Sequence, residues 1–165
     1  MTQAHELHFR WNHAEDVAPA AAFAGRVIGA ASSYISHGEI QTGLSDDGRS
    51  WVSNLERLYL EDFSDRGNRD LLVAHDAAGE VCGLLMLAWE ASSRRRFAVI
   101  EDMAVDPSQR SQGIGKRMID LAETRIRERG VEWVFLESGR DNEGAHHFFE
   151  RAGFKRQSAV FARKL

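Results

Sequence analysis

Cysteine is nearly absent from this chain: Cys82 is the only one in 165 residues, so neither a disulfide framework nor a multi-cysteine metal site can form within one chain. It lies in an apolar run, as a buried core thiol does. No apolar run approaches the roughly 20 residues that cross a bilayer, and no basic start precedes an apolar segment. The expectation is a soluble, cytoplasmic protein with no membrane partner. Basic charge is not in excess either. The 21 Lys and Arg against 25 Asp and Glu leave a net charge of −4, which counts against a mainly electrostatic nucleic-acid binder. No His/Asp/Glu spacing forms a closed metal site, and there is no internal repeat, linker or low-complexity tract. With 43% apolar residues, the chain reads as one domain over residues 1–165, with a single core covered by helices.

The stretch around which the rest is organised runs from Ile100 to Lys116. An apolar strand ends at Val105, Asp106-Pro107 forces a turn, and Gly113 and Gly115 open a helical pattern. Glycines there let backbone N–H groups between Ser111 and Lys116 converge at a helix start, where unpaired amides and the positive dipole end favour an anion such as pyrophosphate. Two familiar phosphate loops fail on spacing. A dinucleotide fold needs a third glycine where Met118 stands, and a Walker loop needs four residues before Gly-Lys-Ser/Thr.

The remaining pattern has helices on an α/β sheet. Leu7 to Trp11 is a first strand, and Val17, Ala21, Ala24, Ile28 and Ala31 fall on one helical face. Ser36 to Ser50 carries three glycines and few apolar residues, so it reads as a loop, either a connector or a lid over an acceptor site. Trp51, Leu55, Leu58, Tyr59 and Phe63 make a second amphipathic helix. Leu71–His75 and Val81–Trp89 form a hairpin across Asp76-Ala77-Ala78-Gly79. Arg94, Arg95 and Arg96 sit at a polar turn, and Phe97–Val105 is the next strand. A helix from Ile114 carries Met118, Leu121, Ala122 and Ile126 on one stripe and ends at Gly130. Val131–Glu137 is a strand, Asp141-Asn142 caps a helix bearing Ala145, Phe148, Phe149 and Ala152, and Phe154 onward is a final β segment. The predicted order is βααβββαβαβ.

Two motifs together carry a family resemblance from about Leu71 to the C terminus. Met103-Ala104-Val105-Asp106-Pro107 is followed by Arg110-x-x-Gly113-x-Gly115. Later come Asn142-x-x-Ala145-x-x-Phe148-Phe149-Glu150-Arg151-x-Gly153-Phe154. The sequence resembles the GNAT family of acyl-CoA-dependent N-acetyltransferases. That resemblance implies a mixed, mostly antiparallel central sheet flanked by about four helices, with acetyl-CoA as co-substrate, no metal, a small-molecule amine as acceptor, and in many similar proteins a homodimer. It implies that main-chain groups along Met103, Ala104 and Val105 pair with the pantetheine arm. Amides of Arg110, Ser111, Gln112, Gly113, Ile114, Gly115 and Lys116 would hold the pyrophosphate, with Asn142 at the pantetheine, Arg151 at the adenosine end and Phe149 among the residues that bind the cofactor. An unpaired strand edge accepts such an extended amide-bearing ligand whatever its side chains.

The chain departs from the family at Phe149, where many members carry a tyrosine that protonates the departing thiolate; phenylalanine has no proton to give. Ser138 or a water is left to supply it, or the thiolate leaves unaided. An ammonium acceptor must lose a proton before it attacks, so the base is sought among carboxylates of the Met103 strand. Strict alternation puts Glu101 on the face of Met103 and Val105, and Asp102 with Ile100 and Ala104, which favours Glu101. His37, His146 and His147 are further candidates. The resulting expectation is direct acetyl transfer in a ternary complex, without a Cys82 intermediate. Two alternatives are a catalytically silent acyl-CoA-binding module, motivated by Phe149, and a toxin-like aminoacyl-tRNA acetyltransferase, motivated by the three arginines.

Overall fold

In a computed structural model, which describes residues 6–165, five strands form one sheet in the order β1-β2-β3-β4-β5. The strands are β1 His8–Trp11, β2 Arg69–His75, β3 Val81–Ala91, β4 Arg96–Val105 and β5 Val134–Leu136. The first four pair antiparallel and β5 runs parallel to β4. The helices are α1 Val17–Val27, α2 His37–Gln41, α3 Leu55–Ser64, α4 Ile114–Glu128 and α5 Glu143–Arg151.

Each face of the sheet is covered because β2 and β3 are apolar on both sides. Leu72, Cys82, Leu85 and Leu87 pack with Met118, Ile119 and Ala122 of α4, and Phe148 and Phe149 of α5 close the edge of this cluster. On the other face Leu71, Val73, Leu84 and Met86 meet Phe23 and Ala24 of α1 and Tyr59 and Phe63 of α3. The single core expected from the composition is thus two clusters separated by a sheet.

Three expectations are corrected. Ser36–Ser50 is not an open loop: Ser36 caps α2 in a reciprocal box with Glu39, and Asp47 accepts from the backbone N–H groups of Arg49 and Ser50. Those bonds hold its carboxyl down at about 2. Short polar residues satisfying their own backbone build order here that hydrophobic periodicity does not signal. The final β segment is not formed. After the turn at Gly153, where Phe154 N–H bonds back to Phe149, residues 155–165 carry no regular structure, and Phe161 and Leu165 are fully exposed. The alternation there has no paired neighbour, and a strand without a ladder partner leaves its backbone to water.

The third correction concerns β4. Met86 and Leu87 of β3 face Asp102 and Ile100, so Glu101 is an extra residue with no partner, a bulge. Ile100 therefore packs on the α4 face together with Met103 and Val105, while Ala104 packs with the α1 and α3 cluster. Strict alternation fails at this one residue, and Glu101 is carried off the Met103 face.

Candidate active site

β4 and β5 stay paired only from Ala98 opposite Val134 to Ile100 opposite Leu136. Beyond Ile100, β4 continues to Val105 against β3 alone, and its free edge borders a cavity of about 1150 Å³. Met103, Ala104 and Val105 line one side, and Ser138, Asn142, Phe149 and Arg151 line the other. Arg110, Ser111, Gly113, Ile114, Gly115 and Lys116 line one end. Gln112, in the same loop, is exposed and lines no part of it. Sequence reasoning thus named residues from three separate elements that the fold brings around one space.

The loop end is shaped by backbone. Ser111 and Gly113 both have left-handed φ, 75° and 76°, a conformation that alternates the chain and turns successive amides toward a common point. Gly113 immediately precedes α4, whose first amides have no partner within the helix. A Cβ at Gly113 meets no atom within 4 Å, so the requirement for glycine there is conformational, and the space before the amides stays open. These features fit an anionic group of pyrophosphate size. Asn142 caps α5, accepting from Ala145 N–H through Oδ1 at 3.4 Å. Phe149 is wedged edge-on between Phe148 and Phe154.

The opposite end holds ionisable groups. Tyr34, which the sequence did not single out, donates to Asp102 Oδ1 at 2.9 Å and accepts from Met103 N–H at 3.2 Å. Its own ionisation is pushed well above 10, by burial first and then by Asp102. Burial, with the nearby Glu39, Asp62 and Glu101 charges, pushes the Asp102 carboxyl up to about 8, against the Tyr34 hydrogen bond that favours its anion. Glu101 is also raised by burial, but it bonds Arg69 at 3.1 Å, and that ion pair pulls it back. The same Arg69 guanidinium binds Asp62 of α3 at 2.8 Å.

Neighbouring carboxylates are thereby driven apart, one tending to keep its proton and the other held near an arginine. Of the histidines, His37 pairs with Glu137 at 3.0 Å and His146 bonds the Gly139 carbonyl at 2.8 Å. Cys82 is fully buried and its thiol is pushed up to about 11 by burial, so it is no nucleophile. Arg94 and Arg95 are exposed, and Arg96 bonds the Arg129 carbonyl. Among the described residues no group of three or more His, Cys, Asp or Glu is placed to hold a metal, and no helix is long and apolar enough to cross a membrane.

The raised Asp102 carboxyl has a consequence for stability. Its folded value of about 8 lies above the ordinary 3.8, so between those values the folded state binds more protons than the unfolded one. The stability that Asp102 contributes is complete below about pH 4 and is lost as pH rises through about 8. Asp102→Asn, which still accepts from Tyr34, should therefore melt progressively higher relative to wild type as the buffer moves from pH 5.5 to pH 8.5. About 2–4 °C is expected for each kcal/mol in a chain of this size. Thermal melts at the two pH values check this; an unchanged difference would place Asp102 at an ordinary carboxyl value.

A sheet edge opened beside an amide-lined helix start thus shares one cavity with the acid–base groups at its far end. The Acetyltransferase (GNAT) family model matches residues 39–154, and the chain belongs to that family. It is 29% identical over 123 residues to the mycothiol acetyltransferase of Propionibacterium freudenreichii subsp. shermanii, a match covering 74% of this chain and 36% of that protein. It is 35% identical over 82 residues to the streptothricin acetyltransferase of Streptomyces lavendulae, covering 50% and 42%. These matches cover less than half the length of either relative.

Among solved structures, a ribosomal-protein-alanine N-acetyltransferase from Brucella melitensis biovar Abortus 2308 superposes with a TM-score of 0.71 at 14% identity, over 97% of this chain and 100% of that one. An aminoglycoside N-acetyltransferase crystallised with CoA gives 0.70 at 15% identity, over 99% and 98%. At these identities the likeness is one of fold.

Proposed function

We propose that this protein transfers an acetyl group from acetyl-CoA to a primary amine of a small molecule, by direct attack in a ternary complex. The observation that carries this reading is the cavity that joins the free β4 edge and the amides before α4 to the Glu101–Asp102 end. Relatives named for mycothiol, streptothricin and aminoalkylphosphonate acetylation support a small-molecule acceptor.

In this reading the loop from Arg110 to Lys116 takes the pyrophosphate, and the Met103–Val105 edge with Asn142 takes the pantetheine amides. Arg151 lies toward the adenosine. The bound donor supplies an acyl thioester. Glu101 accepts the proton given up as the amine nitrogen bonds the acyl carbon, directly or through water. Asp102, protonated below about pH 8, leaves Glu101 as the charged member of the pair. Ser138, across the gap from β4, hydrogen-bonds the sulfur as the carbon–sulfur bond breaks. With phenylalanine at 149 that assistance is small, and the modest basicity of a thiolate makes it sufficient.

The test is calorimetric binding of acetyl-CoA together with CoA release on an amine panel. Gly113→Val should abolish binding, since a β-branched residue at φ 76° is strained and the loop must rearrange. Wild-type affinity in that variant would remove the phosphate-loop assignment. Tight acetyl-CoA binding by the wild type with no turnover on any amine would favour a silent acyl-CoA-binding module.

A further inference from the structure

The acceptor end carries more negative charge than proton transfer requires. Besides Glu101, the carboxylates of Glu39 and Asp62 line it, with Arg69 the cation among them. Glu39 is buried, and both hydrogen bonds to its carboxylate, from Ser36 N–H and Ser36 Oγ, fall on the single oxygen Oε2.

A second, independent feature lies beside these carboxylates. Tyr59 is 1% exposed and lines the cavity, yet its hydroxyl has no hydrogen-bond partner. Its phenol is raised chiefly by burial, and the carboxylates of Glu39 and Asp62 line the same cavity. A buried hydroxyl left unpaired costs its full desolvation, and phenylalanine would fill the same core volume without that cost. An ammonium held beside it would give the hydroxyl a partner, since the phenolic oxygen accepts from N–H.

The nitrogen that is acetylated must be neutral when it attacks, so it is not the charge these carboxylates complement through the reaction. A second nitrogen, protonated throughout, meets that requirement. Resting on the acetyl-transfer reading above, we propose that the acceptor is a di- or polycationic amine, whose non-reacting ammonium binds in a subsite formed by Tyr59, Glu39 and Asp62.

The test compares α,ω-diamines of three to six carbons with alkylamines and ω-amino acids of the same lengths, which present one reacting amine and a positive, neutral or negative far end. The best diamine should exceed its matched alkylamine in kcat/KM by about tenfold or more, with the amino acids lowest. Tyr59→Phe and Asp62→Asn should raise KM for the diamine several-fold, more than they change kcat, and so narrow that gap. Tyr59→Phe should melt at or above the wild-type temperature, which separates lost recognition from lost folding. Calorimetry of the CoA-saturated protein with the same amines reads the subsite without turnover. A diamine preference that weakens in Tyr59→Phe supports the subsite even where no acetylation occurs, and that absence overturns the acetyl-transfer reading alone. Diamines and alkylamines equal within experimental error, in both turnover and binding, overturn the dication subsite and leave acetyl transfer standing.

Discussion

Glu101→Gln should bind acetyl-CoA as the wild type does and turn over about 10² to 10⁴-fold more slowly near neutral pH. Binding survives because the proposed donor contacts are main-chain groups on β4 and before α4, which the substitution leaves in place. Chemistry falls because glutamine accepts no proton from the attacking amine. The change also removes one charge opposite Arg69, but Asp62 and the carbonyls of Asp62, Asp65 and Arg66 still hold that guanidinium. The site should therefore keep its shape. Asp102→Asn is the comparison, because both residues line the cavity and the bulge at Glu101 sets it directly beside the paired Asp102. A larger loss in Asp102→Asn, with both variants folded and binding acetyl-CoA, would transfer the role of base to Asp102.

The second large effect is expected at Gly139. A Cβ there would lie 2.1 Å from the Ser33 carbonyl oxygen and 2.8 Å from that of Ile35. Both are backbone atoms, so the segment carrying Tyr34 must move as a unit. Gly139→Ala should cost about 1–3 kcal/mol of stability as overpacking, lowering the melting temperature by about 2–4 °C for each kcal/mol. It should also pull Tyr34 from Asp102 and Met103, so turnover falls further than the lost stability explains. Unchanged melting and turnover in this variant would show that the two segments do not touch in solution. His146, bonded to the Gly139 carbonyl, ties the same loop to α5. A contact between residues more than a hundred positions apart thus controls the acid–base end of the cavity.

Much of the donor end was legible in the sequence because it depends on local backbone chemistry. Proline after Asp106, glycines before an amphipathic stripe and an asparagine cap three residues before Ala145 each act within one turn, so spacing alone places them. The acceptor end is different. Tyr34 and Tyr59 are the chain's only tyrosines. Tyr59 fits a helix stripe as core, and Tyr34 lies in a stretch with no periodic signal. Nothing local marks either as cavity-lining. Asp102 looked like the residue facing away, and only the pairing of β4 with β3 reveals the extra residue at Glu101.

The sequence by itself determined the strand–loop–helix unit from Ile100 to Lys116, the helical stripes and the family to which the chain belongs, since these rest on interactions among residues close in the chain. Tertiary structure decided the bulge at Glu101, the splitting of the core into two clusters, the irregular course of residues 155–165 and the meeting of Tyr34, Tyr59, Glu39 and Asp102. Register and burial are collective: whether a strand residue faces one helix layer or the other depends on which residue its neighbour offers, and a carboxyl is raised to about 8 only where several distant segments remove its water together.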